Sequence, residues 1–145
     1  GMWPSDECPR PIELKPTFEI KTEVAFVKEL PPCSGVGYGL RYMTRGVEEI
    51  AVLPVGYADG YSRALSMKVP VLVKGRRVPI RGNICMDQTM IDVTGLGVKV
   101  GDEVVLIGRQ GDEAITPEEI GAARNTINYE VPNAFLKRVP RVYIS

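Results

Sequence analysis

The sequence predicts a mainly β domain, small and barrel-like, with one or two short helices near its C-terminal end. Three observations predict it. Apolar residues alternate with polar ones in short runs, the period of a half-buried strand. Glycine and proline, 15 and 12 residues respectively, punctuate those runs and keep each one short. Only the stretch opening at Thr116-Pro117-Glu118-Glu119 carries a complete helix start. Many short strands followed by late helices point to a barrel or sandwich rather than to a layered α/β fold.

Taken in order, residues 1–11 read as a lead-in from a removed N-terminal domain, with Gly1-Met2 as an added start. Pro4, Pro9 and Pro11 block helix there, and Pro16 follows. The domain proper is expected over 12–145. From Phe18 to Val27 the apolar set Phe18, Ile20, Val24 and Phe26 faces Glu19, Lys21 and Glu23, which predicts one strand. Pro31-Pro32 ends it. A glycine-punctuated strand is expected over Val36 to Tyr42, and another over Glu49 to Val55. Val69–Val73 and Val78–Ile84 read as a hairpin across Lys74-Gly75-Arg76-Arg77. Met90–Val93 and Glu103–Ile107 supply two further strands. The helix opening at Thr116 is expected to end near Arg124, with Asn128 capping a second short helix and Arg141–Ile144 returning to strand.

Composition excludes several functions. At 145 residues, 44% hydrophobic and 25% charged, the chain is one globular domain able to bury a core. Its 18 basic and 18 acidic residues cancel, so no basic field suggests nucleic acid or an anionic membrane. With no histidine, acid–base chemistry falls to tyrosine, lysine, cysteine or a carboxylate. Cys8, Cys33 and Cys85 are widely spaced and odd in number, the pattern of reduced thiols in a cytoplasmic protein. No apolar run reaches the ~20 residues of a membrane helix, and no secretory leader is visible.

Three stretches stand out chemically: Gly56-Tyr57-Ala58-Asp59-Gly60-Tyr61-Ser62-Arg63, Arg81-Gly82-Asn83-Ile84-Cys85-Met86-Asp87-Gln88 and Asn128-Tyr129-Glu130-Val131-Pro132. By themselves they read as a glycine turn with aromatic packing, a strand with a buried thiol ending in a polar turn, and a helix start. Together with Leu14-Lys15-Pro16 and Ala25-Phe26-Val27-Lys28, and in this order, they resemble the C-terminal domain of bacterial alanine racemase. The likeness runs from about Ile12 to Ile144.

The resemblance implies a β-rich domain attached to an N-terminal (β/α)₈ barrel in a head-to-tail homodimer. In such an enzyme this domain closes the partner subunit's active site, where pyridoxal phosphate and L- or D-alanine bind, making D-alanine for peptidoglycan. It implies Tyr38 as catalytic base, the Met86 backbone N–H as holder of the substrate carboxylate, and Tyr129 as hydroxyl donor to the cofactor phosphate. Tyr57, Arg63, Asp87 and Ile127 correspond to entryway positions, and Asn83 stands where many relatives carry arginine. Tyr42, on the same expected strand, is the alternative to Tyr38. None of the seven lysines (15, 21, 28, 68, 74, 99, 137) has the Lys-Ala-Asn-Ala-Tyr-Gly-like context of the family's cofactor lysine. The chain alone is therefore expected neither to hold the cofactor tightly nor to racemise alanine. A serine-specific racemase and a non-catalytic barrel serving binding or dimerisation are the competing readings.

Overall fold

A computed structural model describes residues 1–4 and 7–144. Ser5 and Asp6 of the expected lead-in, and Ser145, lie outside them. The architecture is mainly β, with three sheets and two short helices among the described residues.

The largest sheet is built around a strand with an uninterrupted apolar run of four residues, Val104–Ile107. β1 (Ile20–Glu23) and β6 (Pro70–Val73) flank β9 (Glu103–Gln110) antiparallel, β7 (Arg76–Pro79) continues from β6, and β10 (Glu113–Ile115) folds back on the far end of β9. Leu72 faces Val105 and Val73 faces Val104 across the ladder. Val71, Leu72, Val73, Val104, Val105 and Leu106 are all fully buried. A central strand covered on both faces needs apolar side chains at successive positions, hence Val104-Val105-Leu106-Ile107.

The second sheet is β2 (Phe26–Leu30), β5 (Glu48–Leu53) and β8 (Thr89–Asp92), with β5 central. An isolated bridge between Ile80 and Ile91 ties it to the β7 edge of the first sheet. The two sheets are also joined covalently, and here the single strand expected over Phe18–Val27 is corrected. Val24 N donates to Asp102 O at 3.0 Å in the first sheet, and Ala25 N donates to Val52 O at 2.9 Å in the second. The chain changes sheets at one peptide, as corner-turning strands do. Alternation holds to the buried Val24 and then reverses, leaving Phe26 53% exposed.

Other boundaries also differ from expectation. Instead of a strand over Val36–Tyr42 there is a small hairpin, β3 (Gly35–Val36) and β4 (Tyr42–Met43), with a 3₁₀ turn at Tyr38–Leu40. Positive φ at Gly37, Gly39 and Leu40 bends the chain out of extended geometry. The strand expected to reach Ile84 stops at Pro79, and Arg81–Gln88 is loop.

Helix α1 (Pro117–Arg124) starts as predicted: Thr116 Oγ1 accepts from Glu119 N at 3.2 Å and Pro117 opens the first turn. α2 (Glu130–Asn133) begins after Tyr129, and Asn128 does not cap it. Buried Asn128 instead donates from Nδ2 to Trp3 O at 2.8 Å and to Glu118 Oε1 at 2.9 Å. Arg141–Ile144 forms no strand, and its side chains are exposed.

Candidate active site

Tyr38 sits at the tip of the β3–β4 hairpin, 75% exposed. Val36, at the base of the tip, is buried with Ile50 and Met90, which plants the hairpin on the second sheet. The tip is bridged internally by Leu40 N donating to Gly37 O at 3.3 Å. From outside, Asn83 Nδ2 donates to Tyr38 O at 2.9 Å. The tyrosine's main chain is thus pinned to the Arg81–Gln88 loop while its ring stays in solvent. Beside it is a hollow lined by Gly37, Tyr38, Cys85, Gln88 and Met90.

Four residues further on, Tyr42 has a different environment. Its hydroxyl donates to Glu48 carboxylate oxygens at 2.9 Å, and the Arg81 guanidinium lies 4.5 Å from its ring centroid. Arg81 in turn donates from Nη2 to Asp92 Oδ2 at 2.7 Å. Burial, then the Glu48 hydrogen bond, pushes the Tyr42 phenol above its ordinary value. Tyr42 is held neutral as a donor, so of the two candidate tyrosines only Tyr38 presents a free hydroxyl.

The Arg81–Gln88 loop closes on itself through Cys85 N donating to Gln88 O at 2.8 Å. Against it lies the Gly56–Gly60 turn, with Tyr57 N donating to Cys85 O and Ala58 N to Met86 O, both at 3.0 Å. The approach is close enough to demand glycine. A Cβ on Gly56 would fall 2.3 Å from Cys85 O and 2.4 Å from Met86 O. At the other end of the turn, a Cβ on Gly60 would fall 2.2 Å from Ala134 O, just beyond α2. That contact brings α2, and Tyr129 before it, to the same part of the molecule. Met86 and Tyr129 are 52% and 42% exposed. Among the described residues the Met86 N–H has no intramolecular acceptor, leaving a donor for a ligand.

Asp59 and Asp87 are joined by a residue that sequence reasoning missed. Arg138 places Nε 3.1 Å from Asp59 Oδ1 and Nη2 2.6 Å from Asp87 Oδ1. Asp59 Oδ2 meanwhile accepts from Gly56 N at 2.9 Å. The Asp87 hydrogen bond, and then Asp59, raise the Arg138 guanidinium above its already high ordinary value. Nothing local in Lys137-Arg138-Val139-Pro140 foretells this. The only signal was two carboxylates, Asp59 and Asp87, in glycine- and methionine-bearing turns.

Arg63 opens a 3₁₀ turn, Arg63–Leu65, which Ser66 ties to the same loop by accepting from Ile84 N at 2.9 Å. Ile127 lies in the exposed link between α1 and α2. Neither residue hydrogen-bonds Tyr38, Tyr57 or Met86 among the described residues. Among the described residues no group of three metal-ligating side chains occurs, and no helix is long and apolar enough to cross a membrane.

The sequence model of the family described as "Alanine racemase, C-terminal domain" matches residues 17–143. Alanine racemase of Halothermothrix orenii is 51% identical over 144 residues, covering 99% of this chain and 38% of the relative. The alanine racemase of Desulfovibrio desulfuricans is 50% identical over 145 residues, with the same coverage of each. Among solved structures, alanine racemase from Bacillus anthracis with bound L-Ala-P superposes with a TM-score of 0.96 at 42% identity, covering 100% of this chain and 38% of that one. That from E. faecalis gives 0.91 at 40% identity, covering 96% and 37%. The chain therefore spans about 38% of the length of the curated relatives it matches.

Proposed function

The chain belongs to the alanine racemase C-terminal domain family, and on that premise we propose that it is the C-terminal part of a cytoplasmic, pyridoxal phosphate-dependent racemase interconverting L- and D-alanine for peptidoglycan. One observation carries the reading. The Tyr38 tip, the Tyr57 turn and the Met86 loop, far apart in sequence, meet through hydrogen bonds to their main-chain atoms that leave the Tyr38, Tyr57 and Met86 side chains and the Met86 N–H free. An N-terminal (β/α)₈ barrel completes the protein, and a head-to-tail second subunit receives this surface as the lid of its active site.

The donor set fits one edge of the cofactor. Tyr129 offers a neutral phenol to the phosphate, whereas the hollow beside Tyr38 is lined by no amine. The covalent anchor belongs to the barrel, and the isolated chain is inactive. When bound, pyridoxal phosphate supplies the electron sink that acidifies the substrate's α-hydrogen. Inversion then needs proton transfer on opposite faces of the α-carbon. Tyr38 Oη serves one face and a group of the barrel the other. To accept a proton Tyr38 Oη needs a partner that favours the base, and that partner is a cation of the barrel or of the second subunit. The Met86 N–H takes the substrate carboxylate, a role independent of the Met86 side chain. Tyr57, Arg63, Asp87 and Ile127 line the entryway.

The test is racemisation of alanine and of serine by the full-length protein, wild type beside Tyr38→Phe. Removing the hydroxyl should lower kcat by about 10²–10⁴-fold with the cofactor retained. An unchanged rate would place the base elsewhere. A wild type inert on both amino acids would return the chain to a non-catalytic binding or dimerisation module, and preference for serine would rename the substrate.

A further inference from the structure

We infer that Arg138 is a positioning residue for this site, clasping the Gly56–Gly60 turn to the Met86 loop and offsetting one of the two negative charges that the turns bring together. The inference deepens the racemase reading and rests on it. Its geometry is that of one planar cation with two separate duties: Nε faces Asp59 Oδ1 at 3.1 Å and Nη2 faces Asp87 Oδ1 at 2.6 Å. A guanidinium can serve two carboxylates at once through separate N–H groups of its rigid fork, whereas an ammonium on a flexible stem is a point charge that favours one.

Both carboxylates sit where a shift would be felt. Asp59 already closes its own turn by accepting from Gly56 N, and that turn delivers Tyr57 N and Ala58 N to Cys85 O and Met86 O. Asp87 follows Met86 directly in the chain. Arg138 lies beyond α2, so the clasp joins three segments that secondary structure leaves independent. Its removal would leave two like charges unneutralised beside the backbone N–H proposed to receive an anionic carboxylate. Both the place of that N–H and the local potential would change, and both act on binding of the substrate carboxylate rather than on proton transfer at Tyr38.

The experiment is steady-state kinetics of the full-length enzyme with L-alanine, comparing wild type, Arg138→Met, Arg138→Lys and the double variant Arg138→Met/Asp87→Asn. Arg138→Met should raise KM roughly tenfold, a charge-assisted hydrogen bond discounted for its exposure, and leave kcat within about threefold. The double variant, which removes the uncompensated carboxylate, should recover part of that KM. Arg138→Lys keeps the charge without the fork and should fall between wild type and Arg138→Met, with added salt narrowing the gap. A KM unmoved in both single variants would overturn the clasp, as would a loss confined to kcat. If Arg138→Met does not fold, the KM of Arg138→Lys decides on the same terms. An active wild type with unmoved variants sinks only the clasp, whereas an inactive wild type sinks the racemase reading and the clasp with it.

Discussion

The interior of the five-stranded sheet and the surface carrying Tyr38, Tyr57 and Met86 are organised by opposite means. In the sheet, Leu72, Val73, Val104, Val105 and Leu106 lose all contact with solvent, and side-chain volume holds the strands together. At the surface hydrogen bonds to main-chain atoms do the holding: Asn83 Nδ2 to Tyr38 O, Tyr57 N to Cys85 O, Ala58 N to Met86 O. There the side chains of Tyr38, Tyr57 and Met86 are exposed and uncommitted. A region whose backbone is fixed by its own contacts can offer its side chains to a ligand without loss of order, and a packed interior cannot. Stability and chemistry are accordingly separable by mutation.

The largest effect on stability is expected in the interior. Leu72→Ala deletes a fully buried side chain and should cost about 2–5 kcal/mol, lowering the denaturation midpoint while activity per folded molecule is retained. Tyr38→Phe should do the reverse, changing stability by no more than about 0.5 kcal/mol as an exposed substitution. Thermal denaturation of both variants beside their kcat values measures the contrast. If Tyr38→Phe unfolds the protein, or Leu72→Ala abolishes turnover in folded molecules, the two regions are not independent.

Gly56 lies where the regions meet. Its φ of −150° is open to any residue, so its requirement is space alone, set by the carbonyls of Cys85 and Met86. A methyl there cannot be accommodated by side-chain rotation, since backbone blocks it. Gly56→Ala should cost about 1–3 kcal/mol as overpacking and also weaken substrate binding by moving Met86. Gly46→Ala, with nothing within 4 Å of the added carbon, is the control and should change neither. Equal melting temperatures and equal KM values for the two variants would show that the close approach is not needed.

The same division decided what the sequence could reveal. α1 was legible because Thr116, Pro117 and Glu119 act within one turn of chain, and β9 because its apolar run is contiguous. Other features were invisible because their causes are remote. The sheet change after Val24 depends on Asp102 and Val52, and the Tyr38 tip depends on Asn83. Gly37 and Gly39 hinted that Val36–Tyr42 would not run straight, although glycine in a strand also fits a close approach. β10 is too short, and pairs with too local a partner, to show a period. The site residues came from resemblance to a family, not from spacing, and Arg138 lay outside the motifs that carried it.

The smallest predicted effect concerns the network beneath the Tyr38 hairpin, where the two modes of organisation touch. Burial pushes the Asp92 carboxyl up, but hydrogen bonds from Thr94 and Arg81 outweigh it and leave the group below its ordinary value. A carboxyl lowered on folding contributes stability that is fully present above its unfolded value, about 3.9, and is lost as pH falls through the folded one. Arg81 stays charged throughout, so acid releases it from Asp92 while it remains over the Tyr42 ring. Asp92→Asn should therefore lower the neutral plateau of the stability curve and flatten its acid limb below about pH 4. The flattening will be partial, because Glu19, Asp102 and Glu118 are lowered too. Melting temperature against pH for wild type and Asp92→Asn is the measurement. Parallel curves would mean that the Arg81–Asp92 pair does not stabilise the base of the hairpin, and that Val36, Ile50 and Met90 support Tyr38 by packing alone.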